Sequence, residues 1–183
     1  MSYGILFLRA IVGTVFFAHG AQKLFGWWGG PGRAGTAGFF GSLGFRPAAA
    51  MALVAATSEA SGALFALGLL TPFAAVAMAA VMVVAVGSVH WKNGFWATGG
   101  GYEVNLVLWT VAVAVGATGP GRFSLDRLAG WDGRLSGLWW GLGVLGVSVV
   151  GGLVVLATRE VQPEPEAAEA PLARERAEER VSP

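Results

Sequence analysis

The chain has 183 residues, 55% of them hydrophobic and only 13% charged, with a formal net charge of +1. An average soluble domain carries about 25% charged residues, so the composition excludes such a domain and points to a multi-span membrane protein. The absence of cysteine excludes disulfides, thiolate metal sites and thiol redox chemistry by this chain. No nucleic-acid partner is expected.

In chain order, apolar blocks fall at residues 3–25, 48–70, 73–90, 102–118 and 138–157. Each approaches the roughly 20 residues that a helix needs to cross a bilayer, the fourth being the shortest. Period-2 alternation is absent, which argues against a membrane β-barrel. The first block lacks a basic leading segment and a small-x-small cleavage site, so it reads as a retained helix and not a secretory signal. The predicted fold is all-α, a polytopic helix bundle with a four-helix core over residues 1–137. A fifth transmembrane helix is predicted at 138–157, followed by a charged tail at 158–183. That tail holds four Arg and seven Glu with almost no large apolar side chain, and is expected to be disordered, with transient helix in ARERAEER.

The loops differ in character. Residues 26–47 are long and carry Trp27, Trp28, Phe39 and Phe40; within them GTAGFFGSLG suggests a short helix resting at the headgroup level. LLTPF is a tight turn, with Pro72 starting a helix after Thr71 caps it. Residues 91–101 hold Trp91, Phe95, Trp96 and TGGG, and GPGRFSLDRLAGWDGRLS suggests a turn with a short amphipathic piece. Small residues in SEASG and GLGVLGVSVVGG favour close helix packing. Basic residues are spread over loops at both faces, so the positive-inside rule gives no clean orientation.

Alternating spans bring His19, Lys23, His90, Lys92, Asn93, Tyr102, Glu103 and Asn105 to one membrane half and leave Arg9 toward the other. At 100° per residue, Arg9, Phe16, Gly20 and Lys23 share a stripe that His19 borders; Tyr102, Asn105 and Trp109 share another face. Glu59 lies mid-helix, where an acid costs about 3 kcal/mol on insertion scales. The large apolar residues of its span return only about 2–4 kcal/mol, so Glu59 should face the bundle. Its candidate cations are Lys23 and a protonated His19 or His90. Plainer readings exist for each: snorkelling lysines, interfacial histidines, a tryptophan belt (Trp27, Trp28, Trp91, Trp96) and a structural interhelical hydrogen bond for Glu59.

The runs HGAQKLFGWWGGPGRAGTAGFFGSLGFRP, SEASGALFALGLLTP, VHWKNGFWATGGGYEVNLVLW and TGPGRFSLDRL occur in this order over about residues 5–128. They resemble the DoxX family of small bacterial membrane proteins, which usually have four membrane helices. The resemblance implies a multi-pass cell-membrane subunit related to that of a thiosulfate:quinone oxidoreductase, with soluble redox enzymes as partners. By motif it singles out His19, Gly20, Lys23, Glu59, His90, Asn93, Gly94, Tyr102, Glu103 and Asn105.

The first functional reading is therefore a subunit of a quinone-linked membrane oxidoreductase. His19, Lys23, Glu59, His90 and Glu103 would carry the chemistry. Tyr102, Asn105, Asn93 and Trp91 would hold the ring, enclosed by the loop tryptophans. Proton transfer suits imidazoles and desolvated carboxyls. No flavin, nucleotide or c-type haem motif is present, so electrons must come from a partner or a borrowed cofactor. No metal site is assigned; haem or metal held by the two histidines and the acids is a minor variant. The alternatives are a small-molecule carrier or channel, which would need a homo-oligomer, and a scaffold for soluble partners.

Overall fold

The computed structural model describes residues 2–160. Its α-helices are α1 (Ser2–Phe25), α2 (Gly32–Ser42), α3 (Ala48–Ala60), α4 (Gly62–Leu67), α5 (Thr71–Ala85), α6 (Glu103–Thr118), α7 (Leu125–Leu128) and α8 (Leu138–Ala157). Among the described residues there is no strand. Most of the predicted tail lies outside the described residues. Among the described residues, four stretches are long and apolar enough to cross a membrane: Tyr3–Phe25, Ala48–Leu67, Thr71–Asn93 and Leu138–Ala157. The second joins α3 and α4, and the third extends α5 through one π turn at Val86–His90 and a 3₁₀ turn at Trp91–Asn93. The predicted fourth span is the 16-residue α6, about 24 Å long against a hydrocarbon core of roughly 30 Å.

Helix α5 is central, packing against α6 and α8 on one side and α3 and α4 on the other, while α1 runs along α3 and α4. Phe16, Phe65, Met78, Val115 and Val144 form the buried core. Outer faces carry exposed Phe7, Ile11, Val54, Val107, Val150 and Leu153, a surface suited to acyl chains. Small residues set the spacing, as their positions suggested. A Cβ on Gly13 would stand 2.5 Å from the Gly62 carbonyl, so the α1 and α4 backbones touch. The fifth predicted helix is no appendage: α8 buries Val144 and Ser148, and Ser148 Oγ accepts a 3.1 Å hydrogen bond from Trp109 Nε1 on α6.

The loops fill out one expectation and revise another. The short predicted helix exists as α2, with one side packed on α3 and α1 and Thr36 and Phe40 buried, while Phe39 stays half exposed. Thr71 does not cap α5; it is the helix's first residue, and Leu70 precedes it in a left-handed conformation. The capping carboxylate is Asp126, on α7. It accepts from the Leu70 and Thr71 amides at 2.7 and 3.0 Å and from the Thr71 hydroxyl at 2.7 Å. A carboxylate beats a hydroxyl here because it serves orphan amides and the helix dipole together. Ser124 caps α7 in turn, accepting from the Arg127 amide. Arg9 lies at this same end, fully buried, with Nη2 donating to the Phe123 carbonyl.

Candidate functional site

The opposite end of the bundle carries the predicted polar cluster. Gly20 lies against the backbone of Ala56 and Ala60, so α1 and α3 approach closely just below Lys23. That approach brings Lys23 Nζ onto Glu59 Oε1 as an ion pair. Lys23 is thus the cation for the mid-span acid and does not merely snorkel. Glu59 is buried, and its second oxygen, Oε2, has no hydrogen-bond partner. Buried polar atoms are nearly always satisfied, so an orphan oxygen at a cavity wall marks a place for another donor.

A cavity of about 420 Å³ opens beside the pair. His19, Lys23, Glu59, His90 and Asn105 all line it, with Phe16, Phe39 and Leu108 among its apolar walls. Five of the predicted polar residues, from α1, α3, the π turn and α6, therefore meet in one space. The π turn aims His90: its Nδ1 lies 2.7 Å from the Gly100 carbonyl. A carbonyl only accepts, so Nδ1 carries the proton and Nε2 of the neutral ring is an acceptor. The turn belongs to a class of helix insertion frequent at functional sites.

The remaining predicted residues fall elsewhere. Trp91 stacks on Tyr102 with centroids 5.5 Å apart, and the two line a separate 260 Å³ cavity that shares Asn105 with the first. Asn93 Nδ2 donates to Gly100 and Glu103 Oε2 accepts from the Ala97 amide, at 3.2 and 2.9 Å. Both thereby shape the loop before α6, and neither lines the large cavity. None of the four loop tryptophans lines it either. Trp27, Trp28, Trp91 and Trp96 are exposed, the placement of an interface belt. The aromatic loop gives Ala97, Gly100 and Gly101 to the large cavity, and its other apolar walls come from the helices and from Phe39 of α2.

Sequence reasoning missed three features. Phe39 was read only as an interfacial aromatic, yet it covers the site. Asp126 carries no role in the sequence pattern, yet it caps α5. Arg159, assigned to the tail, folds back: Nε donates to the Leu43 carbonyl at 2.9 Å, and the guanidinium sits 5.3 Å from the Phe45 ring centroid.

Comparisons with known proteins converge on one assignment. A family model described as DoxX matches residues 4–91. A protein of Bacillus subtilis (strain 168), described as "Putative oxidoreductase CatD", is 32% identical over 123 residues, covering 67% of this chain and 84% of that protein. The chain belongs to the DoxX family. No solved structure matches it. The DoxX match includes His19, Lys23, Glu59 and His90, the four titratable residues of the cavity, and ends before α6. As a DoxX-family protein with four long apolar helices, it is a membrane protein.

Proposed function

We propose that this chain is a plasma-membrane subunit of an oxidoreductase system, and that its large cavity binds a quinone headgroup and handles the protons of its reduction. One observation carries the reading: Glu59 has one oxygen on Lys23 and the other buried, unpartnered and beside a cavity shared with two histidines. A quinone oxygen is an acceptor that becomes a hydroxyl donor on reduction. The site meets both states, with the Lys23 ammonium as donor and Glu59 Oε2 and His90 Nε2 as acceptors. The oxidoreductase name of the Bacillus relative supports the redox setting.

The balance is simple. Two electrons from a partner oxidoreductase and two protons convert quinone to hydroquinone. This chain holds no cysteine and supplies no electrons. His19 is exposed while lining the cavity and lies within two turns of the loop end of α1, so in this reading it is the cavity's route toward water. Protons enter through His19; His90 Nε2 first accepts one and then passes it to a ring oxygen, while the Lys23 ammonium gives the other and is reprotonated in turn.

The test is titration of the purified protein in detergent with a short-chain, water-soluble quinone, read by tryptophan quenching. Saturable quenching is expected, weakened at least tenfold in Glu59→Gln and His90→Ala. Quenching that never saturates in the unmodified protein, or is unaltered by both substitutions, overturns the proposal.

A further inference from the structure

A second cavity, of about 300 Å³, lies beside the first, between α3, α5 and α8 and under α2. The two share Lys23, Phe39, Glu59, Ala85 and Val89, so they meet around the ion pair. Their chemistry differs. Beyond the ion pair, the second cavity's only polar side chains are Ser58 and Ser88. The Ser88 hydroxyl is already spent on the Val84 carbonyl at 2.7 Å. Its walls are mostly valines and small residues, including Ala55, Ala80 and Gly151, with Phe40, Leu43 and Met51 toward α2. Nothing stands within 4 Å of a Cβ built on Gly151, so this glycine faces open space.

We propose, resting on the quinone reading above, that this apolar cavity holds the isoprenoid tail of the same quinone. The ligand is then a long-tailed lipid quinone that enters from the bilayer, and not a small aqueous one. Three observations support this occupant. The cavities form a polar chamber joined to an apolar one, which matches a molecule with a polar ring and an apolar chain. The apolar chamber lies among membrane-crossing helices, whereas the polar one lies toward the loops, so ring and tail take the depths they prefer in a bilayer. The shared Lys23–Glu59 pair is neutral overall. An anionic lipid head would meet the carboxylate as well as the ammonium, while an uncharged ring accepts from the ammonium through a carbonyl oxygen and, once reduced, donates to the carboxylate through a hydroxyl. Phe39, which lines both chambers, stands at the junction where ring becomes tail.

The experiment compares two quinones with the same ring, one without a tail and one with several isoprene units. Each is titrated into the full-length protein in lipid nanodiscs. Gly151→Leu fills the apolar chamber from α8, and Ala55→Leu fills it from α3 should the first variant fail to fold. Either substitution should weaken the tailed quinone at least tenfold and change the tail-less one less than twofold. A tailed quinone with a photoreactive group at its chain end should label residues near Met51, Val84 and Val155 in the unmodified protein. Labelling confined to the outer faces, around Val150 and Leu153, overturns the tail assignment while leaving the headgroup reading intact. So does a phospholipid that stays bound when tailed quinone saturates the ring site. Failure of the unmodified protein to bind even the tail-less ring overturns the headgroup reading, and the tail assignment with it.

Discussion

Replacing Lys23 by methionine keeps most of the side-chain volume and removes its charge. In the folded protein Glu59 would then face the cavity with neither oxygen partnered, since Oε2 already lacks a donor. Breaking a buried ion pair from one side costs about 3–5 kcal/mol. The Glu59 side chain is 6% exposed and that of Lys23 26%, so the lysine is already in reach of water, and the lower end, about 3 kcal/mol, applies. For a chain of this size that corresponds to a fall of about 6–12 °C in thermal midpoint. Glu59→Gln should cost less, about 1 kcal/mol, because the freed ammonium can turn to water and the amide still accepts. The double variant removes the uncompensated charge and should be more stable than Lys23→Met alone, with a coupling of about 2 kcal/mol. The measurement is reversible unfolding of the four proteins in one detergent. Single costs that simply add in the double variant, or a Glu59→Gln loss larger than that of Lys23→Met, would refute the pairing.

Other expectations concern the frame around the site. Asp126→Ala strips the cap from α5 and leaves the Leu70 and Thr71 amides and the Thr71 hydroxyl without their acceptor; the same unfolding assay should show a loss of about 3 kcal/mol. Asp126→Asn, which keeps one acceptor oxygen, should recover about half of it. Gly13→Val drives methyl groups into the Gly62 carbonyl, costing about 1–3 kcal/mol through overpacking, and should loosen the ion pair by separating α1 from its neighbour. Arg159→Ala removes the bond to Leu43 and the contact with Phe45. The expected loss is about 1 kcal/mol, with faster amide hydrogen exchange around residues 43–46 than in the unmodified protein.

Much of the site was readable because membrane topology does the work of long-range contact prediction. Spans that alternate in direction force His19, Lys23 and His90 to one end, and the insertion penalty forces Glu59 inward. The pairing partner of Glu59 stayed open among three cations. Choosing Lys23 required the close approach at Gly20, a property of two helices at once. Glu103 and Asn93 were grouped with the site on proximity to the same membrane half. Their actual partners, the Ala97 amide and the Gly100 carbonyl, depend on how eleven loop residues turn back on themselves. Glycine-rich loops carry little patterning that would reveal such a path.

The apolar blocks, their lengths and their order determined on their own that this chain is a helical membrane bundle with His19, Lys23 and His90 at one end and Arg9 toward the other. That follows because the hydrocarbon core penalises every unpaired backbone group and every exposed charge alike. Tertiary structure decided the rest: Asp126 as the cap of a helix 55 positions earlier in the chain, α2 packed with one side over α3, and the meeting of a polar and an apolar chamber at Lys23 and Glu59. Each depends on where side chains from separate helices come together, and hydropathy along one strand of sequence holds no record of that.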